Sequence, residues 1–346
     1  MTFDLGKKRI GQGQTLIIAE VAQAHDGSLG QAHAYIDAVA DAGVDAVKFQ
    51  THIASAESTF DEPFRVKFSD QDATRFDYWQ RMEFSAEEWA LLAKHASDRG
   101  LVFLSSAFSP EAVDLLRKLD MPAWKIASGE LGSSRLLECM MEDDRPFLVS
   151  SGMSPWSDLD GLTSILTNHK KQFAVMQCTS KYPTPLDRVG LNVLTEMRKR
   201  YDCPVGLSDH SGTVFPSLAV MSNKAEFVEV HVVFDKRMFG PDTLASIDID
   251  ELEFLCKSRD AFNVLHENPV DKDQMAAEFD EMRTMFGRSL ALKQDLPAGT
   301  VLSLDDVTAK KPAGGIHENQ RDRIVGLTLA NDVAASRLLR EEDFIR

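Results

Sequence analysis

Several features that define common protein classes are missing from this chain of 346 residues. It has no run of about 18 apolar residues, the length that a membrane-spanning helix needs. Its four cysteines are widely spaced and form no CxxC pair, so neither a disulfide framework nor a cysteine-rich metal site is indicated. No secretory signal pattern opens the sequence. We therefore expect reduced thiols and a cytoplasmic location.

Positive charge is scarce as well: the chain has 38 Lys and Arg residues and 54 Asp and Glu residues, which gives a formal net charge of −16. This balance disfavours non-specific binding to nucleic acid or to an anionic membrane, and we expect neither as a partner. An anionic substrate would need positive charge placed locally in its site. A GxGxxG motif opening the first helix of a dinucleotide-binding fold is also absent.

What the chain does contain, from residue 15 to about residue 266, is an alternation of short β-branched runs and segments with helical periodicity. Ser85 with Glu88 forms a capping box, and Ser109 precedes a proline at the first helical position. Eight strands separated by helix-length spacers predict an α/β fold, a (β/α)8 TIM barrel, with a doubly wound open sheet as the rival. The predicted strands are 15–21, 46–50, 101–105, 123–127, 147–150, 173–177, 205–208 and 227–233.

The pattern changes after about residue 285, where short segments separated by turns replace the alternation. We predict a barrel domain over residues 1–270, a charged linker over 271–287, and a small mixed domain over 288–346. The connection between residues 51 and 83 is long for a barrel, and such loops commonly act as lids or binding loops.

The strand ends carry the polar side chains, and in a TIM barrel the C-terminal ends of the strands form the active site. His210 and His231 end neighbouring strands, where two imidazoles suit a divalent metal; a structural hydrogen-bonded role is the alternative. Lys48 and Lys125 lie inside apolar strands, where an uncompensated lysine is costly, so a role in binding an anion is favoured. For Glu20, the alternative to a site role is a salt bridge to Lys48. These residues predict a phosphorylated or carboxylated substrate beside a Lewis-acid metal.

Ordered motifs along the chain carry a family resemblance: IIAE at 17–20, AVKFQT at 46–51, WKIASGE at 124–130, SGM at 151–153, CTSKYPTP at 178–185 and GLSDH at 206–210. Their order resembles the sialic acid (N-acetylneuraminate) synthase family. The tail, with LPAGTVL at 296–302 and VG at 325–326, is similar to the antifreeze-like domain (SAF, a β-clip fold) of those enzymes.

The resemblance implies a reaction, a cofactor and an assembly. Phosphoenolpyruvate would condense with an open-chain N-acyl hexosamine-type aldehyde, such as N-acetylmannosamine, to give a nonulosonic (sialic) acid and phosphate. The expected cofactor is Mn²⁺, with Mg²⁺ or Co²⁺ as alternatives. The expected assembly is a domain-swapped homodimer in which the small domain of one subunit closes over the barrel mouth of the other.

The resemblance also implies roles for individual residues. His210 and His231 would hold the metal, and Glu20 would handle protons when water attacks C2. The residues expected to bind phosphoenolpyruvate are Lys48, Ser106, Lys125, Ser128, Ser150 and Ser208. Those expected on the sugar side are Gln50, Glu130, Ser180, Tyr182, Asp242 and Lys311.

Three departures from the family pattern lie on the sugar side. Ser180 stands in place of an asparagine found in members that use N-acetylmannosamine, and Lys311 replaces an arginine that reaches the N-acyl group. Residues 21–26 depart from a Gly-x-Asn-His run, although His25 keeps its place. A 2,4-diacylamino-6-deoxy sugar, leading to legionaminic or pseudaminic acid, is therefore an alternative acceptor. A metal-dependent pyruvate aldolase and a non-catalytic carbohydrate-binding barrel are further alternatives.

Overall fold

A closed barrel of eight parallel strands dominates the first of two units in the computed structural model, which describes residues 2–119 and 121–345. That unit ends at Glu267, and the second begins at Asn268. No boundary of the eight predicted strands differs from the observed one by more than two residues. The barrel strands are β3 (Leu16–Ala22), β4 (Ala46–Thr51), β5 (Val102–Ala107), β6 (Trp124–Ile126), β7 (Phe147–Ser150), β8 (Phe173–Cys178), β9 (Val205–Asp209) and β10 (Phe227–Val233).

The barrel closes where β10 pairs with β3, in a register that runs from Phe227 opposite Leu16 to His231 opposite Glu20. Glu20 in turn lies opposite Lys48 on β4. Two short additions flank the ring: a hairpin of β1 (Phe3–Leu5) and β2 (Lys8–Ile10), and β11 (Ile247–Asp248), which pairs with β10. Because strand register sets which side chains share a level, these pairings bring the predicted site residues together.

Helices follow the strands, and their ends carry the signals that the sequence shows. The capping box of Ser85 and Glu88 is confirmed, and Ser109 caps the helix that begins at Pro110. Helices of the first unit are α1 (Leu29–Ala42), α2 (Ala54–Glu57), α3 (Arg75–Met82), α4 (Ala86–Asp98), α5 (Pro110–Lys118), α6 (Ser134–Met140), α7 (Trp156–Asn168), α8 (Leu191–Arg200), α9 (Phe215–Ser222) and α10 (Ile249–Glu267), with 3-10 turns at Leu186–Arg188 and Thr243–Ala245. Among the helices described, none has the length and apolarity needed to cross a membrane.

The second unit has its own small core around an antiparallel pair, β12 (Ser289–Leu292) and β13 (Val307–Lys310). The segment predicted as a linker contains two helices, α11 (Lys272–Ala277) and α12 (Asp280–Phe286). A short α13 (Arg321–Ile324) and 3-10 turns at Glu318–Gln320 and Glu341–Asp343 complete it. The buried apolar side chains of this core are Leu290, Leu292, Leu302, Val307, Ile316, Ile324, Leu329, Val333, Leu339 and Phe344.

Candidate active site

A cluster of buried polar side chains lies at the C-terminal ends of the barrel strands. Its members are at most 5% exposed, and they line a volume of about 40 Å³ that we call the inner pocket. All three predicted catalytic residues line the pocket, and so do the six residues predicted to bind phosphoenolpyruvate. All of them are buried except Ser128, which is half-buried. The buried polar residues of the pocket are Glu20, Lys48, Ser106, Lys125, Ser150, Ser208, His210, Glu229 and His231.

The two lysines of the inner pocket are paired with two glutamates. Lys48 forms an ion pair with Glu20, and its Nζ lies 3.8 Å from Glu229 Oε2. Lys125 Nζ lies 3.2 Å from Glu229 Oε1. Burial lowers the pKa of Lys48. Burial alone would raise the pKa of Glu229, but the positive charges of Lys125 and Lys48 outweigh it and lower the pKa of that carboxyl. The salt bridge of Glu20 to Lys48, the alternative to a site role for Glu20, is present, and Glu20 also lines the inner pocket.

Hydroxyl groups orient the ammonium groups and the carboxylate. Lys125 donates to Ser150 Oγ at 2.9 Å, and Lys48 donates to Ser106 Oγ at 3.4 Å. Ser208 Oγ donates to Glu229 Oε1 at 3.0 Å. An ammonium has three donors, so each lysine keeps hydrogen-bonding capacity for a phosphate or carboxylate.

His210 and His231 face each other with ring centroids 5.1 Å apart. The Thr179 carbonyl lies 3.0 Å from His210 Nδ1, and since a carbonyl only accepts, that nitrogen carries the proton. His210 Nε2 is then the unprotonated nitrogen, and Tyr182 donates to it at 3.2 Å. Burial and the neighbouring His231 lower the pKa of His210 to about 3. Burial and the charge of Lys48 lower the pKa of His231 to about 3 as well. Both rings are therefore neutral at neutral pH, the form that binds metals.

This donor set fits a divalent metal with open positions. Two neutral imidazoles supply two ligands, and His231 forms no side-chain hydrogen bond among residues 2–119 and 121–345 that would compete for its nitrogens. Within the same described residues, no group of three or more His, Cys, Asp and Glu is suited to hold a metal. Further ligands would come from substrate or water, as a catalytic site requires.

A larger volume of about 390 Å³ adjoins the inner pocket, and we call it the outer cavity. Tyr182 lines both volumes and stacks on His210 with ring centroids 4.2 Å apart, so it forms the boundary between them. Ser180 donates to Ser128 Oγ at 2.9 Å on the same wall. Five of the six predicted sugar-side residues line the outer cavity: Gln50, Glu130, Ser180, Tyr182 and Asp242.

Lys311, the sixth, lies in the second unit. It is exposed there, and its Nζ lies 4.8 Å from the centroid of the Phe286 ring. Its role toward the sugar stays a prediction.

Two residues of the site were missed in the sequence. Glu229 precedes His231 by two positions on β10, so both side chains point into the barrel; the alternation of a strand was the available signal. Arg65 lies in the long loop between β4 and α3, where it donates to Asp242 Oδ1 at 2.8 Å. Its Cζ lies over the Tyr182 ring, 4.2 Å from the ring centroid. The sequence predicted that this loop acts as a lid or binding loop, but no motif indicated Arg65 itself.

Comparison with known proteins gives matches over both units. The NeuB family matches residues 35–269, and the SAF domain matches residues 287–345. The N,N'-diacetyllegionaminic acid synthase of Legionella pneumophila is 31% identical, with 96% of each chain covered. The N-acetylneuraminate-9-phosphate synthase of Homo sapiens is 30% identical over 87% of this chain and 84% of that protein.

The barrel also matches a solved structure. The N-acetylneuraminic acid (sialic acid) synthetase of Leptospira borgpetersenii, crystallised in complex with citrate, has a TM-score of 0.71 at 25% identity and covers 81% of this chain and 96% of that one. The predicted fold, a TIM barrel followed by a SAF domain, is confirmed.

Proposed function

The chain belongs to the NeuB family of phosphoenolpyruvate-dependent nonulosonic acid synthases, which are C–C bond-forming transferases, and on that premise we propose its acceptor class and the roles of its residues. The acceptor is an open-chain N-acyl hexosamine-type aldehyde, and the products are a nonulosonic acid and phosphate. One observation carries the proposal: an inner pocket with two buried lysines and two neutral histidines opens into a cavity large enough for a sugar.

The proposed reaction forms one C–C bond and one C–O bond, from water to C2, and breaks the C–O bond that joins C2 to the phosphate. C3 of phosphoenolpyruvate attacks the aldehyde carbon, water adds at C2, and the bond between C2 and the phosphate oxygen breaks. Lys48 and Lys125 would bind the phosphate and carboxylate and stabilise the charge that develops as phosphate leaves. Glu20, which accepts a hydrogen bond from Gln50 Nε2 at 3.2 Å, would take the proton of the attacking water.

Enzymes of this family depend on a metal, and His210 and His231 are the residues that would hold it here. A bound divalent ion supplies a Lewis acid that polarises the aldehyde oxygen. The Thr179 carbonyl fixes the tautomer of His210, and such partners orient a ligating imidazole. We expect Mn²⁺, with Mg²⁺ or Co²⁺ as alternatives.

The acceptor has two candidates. N-acetylmannosamine is the simpler aldehyde of the class. A 2,4-diacylamino-6-deoxy aldehyde is favoured by the apolar part of the outer cavity wall, since such a sugar has a methyl group in place of the C6 hydroxymethyl group and an acylamino group in place of the C4 hydroxyl. The apolar side chains of that wall are Phe64, Val66, Phe68, Trp79, Phe108 and Met153.

A phosphate-release assay on the full chain tests the proposal. The acceptors would be N-acetylmannosamine, its 6-phosphate, mannose and a 2,4-diacetamido-2,4,6-trideoxy hexose, each with phosphoenolpyruvate after chelation and with Mn²⁺ added back. Release should require an acylated aldehyde and the metal, and His210→Ala should abolish it. Condensation with pyruvate in place of phosphoenolpyruvate, or full activity of His210→Ala, would contradict the proposal. Light scattering on the same sample checks the predicted homodimer.

A further inference from the structure

Two residues that line the outer cavity each have a buried polar atom without a hydrogen-bond partner. The atoms are Oε1 of Gln23 and the hydroxyl of Tyr78, in residues that are 4% and 2% exposed. Nearly all buried polar atoms in native proteins are paired, so an unpaired one calls for an explanation. A ligand that supplies the missing partner is one such explanation.

The neighbours of Gln23 determine which way its side-chain amide is oriented. The Glu20 carboxylate only accepts, so Gln50 presents its Nε2 to it, at 3.2 Å. Gln50 Oε1 is then the acceptor for Gln23 Nε2, at 3.5 Å. Gln23 therefore has an acceptor oxygen left over, while the unpaired hydroxyl of Tyr78 has a proton to donate.

The segments that carry these two residues are tied together. Arg81, on α3 with Tyr78, donates to Asp26 Oδ1 at 2.7 Å and to Asp72 Oδ2 at 2.8 Å. Asp26 belongs to the same turn as Gln23. Ala22, at the end of β3, and Asp26, in the turn, have φ of +47° and +50°, a left-handed backbone that is uncommon for non-glycine residues. The ion pair of Arg81 with Asp26 holds the turn and α3 together.

Aromatic side chains pack against the Tyr78 ring. Phe68 meets the Tyr78 ring edge-on, with centroids 5.0 Å apart, and Phe64 packs edge-on against Phe68 at 5.8 Å. Both phenylalanines line the outer cavity. An acceptor, a donor and an apolar surface together match the three parts of an acylamino group, which are its N–H, its carbonyl and its alkyl end.

We propose that Gln23, Tyr78 and Phe68 form a subsite for an acylamino group of the sugar acceptor, an inference that rests on the proposed function. Gln23 Oε1 accepts from the amide N–H, Tyr78 donates to the carbonyl, and Phe68 packs against the acyl chain. None of the three belongs to the sugar-side set that the family resemblance implies. Because the resemblance assigns the N-acyl group of N-acetylmannosamine to the position of Lys311, we assign this subsite to a second acylamino group, which N-acetylmannosamine lacks and a 2,4-diacylamino aldehyde has.

Binding of unreactive alditols tests this subsite without turnover. Calorimetry on the full chain with Mn²⁺ and phosphoenolpyruvate would compare the alditol of N-acetylmannosamine with that of 2,4-diacetamido-2,4,6-trideoxymannose. The diacetamido alditol should bind about tenfold more tightly to the wild type. Gln23→Leu and Tyr78→Phe should each remove most of that advantage and change the affinity for the mono-acylated alditol by less than about twofold.

The control is Tyr201→Phe, because the Tyr201 hydroxyl donates to Asp160 at 2.7 Å on the outer helices. It should leave both alditol affinities unchanged. Without ligand, Tyr78→Phe should not lower the melting temperature, because it removes only an unpaired buried hydroxyl.

Equal weakening for both alditols, no weakening, no binding, or a lower melting temperature of ligand-free Tyr78→Phe would overturn the subsite. The phosphate-release assay decides the proposed function separately: release without alditol discrimination refutes only the subsite, and discrimination without release refutes only the reaction.

Discussion

The inner pocket and the outer cavity meet at Tyr182, yet they are built from different parts of the barrel. The inner pocket measures about 40 Å³, and nearly all its polar side chains project from the ends of barrel strands. The outer cavity measures about 390 Å³, and its wall comes mainly from connections between strands, including the long loop that carries Arg65. Lysines and glutamates of the inner pocket are at most 5% exposed, whereas the Arg65 side chain is 44% exposed.

This difference separates the chemistry of the reaction from the choice of acceptor. Strand register places Glu20 opposite both Lys48 and His231, so the relative positions of these groups follow from the fold itself. Loop residues can change without moving the strands, which is how one barrel serves different substrates. We therefore expect changes in the inner pocket to affect every acceptor equally and changes in the outer cavity to depend on the acceptor.

The largest effect should come from Lys125→Met, which keeps much of the side-chain volume and removes the charge. It should lower kcat/KM for phosphoenolpyruvate by about 10²- to 10³-fold with every acceptor, because a buried cation facing the leaving phosphate is lost. Steady-state phosphate release measures this.

The matched control is Lys94→Met, since Lys94 forms an exposed ion pair with Asp98 on α4. It should change kcat/KM by less than about twofold. A loss confined to one acceptor in Lys125→Met would contradict the separation of the two regions.

A smaller effect, on stability, should follow from Glu229→Gln. The amide keeps the shape and can still accept from Ser208, but Lys48 and Lys125 lose a buried carboxylate. Breaking buried ion pairs by removing one partner costs about 3 kcal/mol of the free energy of unfolding. Chemical denaturation measures it, with Glu253→Gln on the surface of α10 as a control that should cost less than about 0.5 kcal/mol. Equal stability of the two variants would show that Glu229 does not compensate the lysines.

The strand-built region was the more predictable of the two. Apolar β-branched runs and helix caps located the strands, and a barrel then requires that polar strand ends converge. His210, His231, Lys48 and Lys125 could be found this way because each interrupts an apolar run at or near such an end. Glu229 interrupts β10 in the same manner, and the alternation of a strand places its side chain on the same face as that of His231, so this residue was also predictable in principle.

The loop-built region could be predicted only as a region. Arg65, Gln23 and Tyr78 come from a loop, a turn and a helix of eight residues. Their proximity depends on tertiary contacts such as the ion pair of Arg81 with Asp26. That contact joins positions 55 residues apart, which no local pattern in a single sequence encodes.

The smallest effect should come from Arg65→Gln, and it tests the comparison most sharply. The substitution removes an exposed ion pair to Asp242 and a cation–π contact with Tyr182, each of which contributes little in water. KM for the acceptor should rise about three- to fivefold, while KM for phosphoenolpyruvate should stay the same within error. Arg65→Lys, which keeps the charge but loses the planar guanidinium, should restore part of the effect. If KM for phosphoenolpyruvate rises as much as KM for the acceptor, Tyr182 transmits the change to His210, and the two regions act as one site.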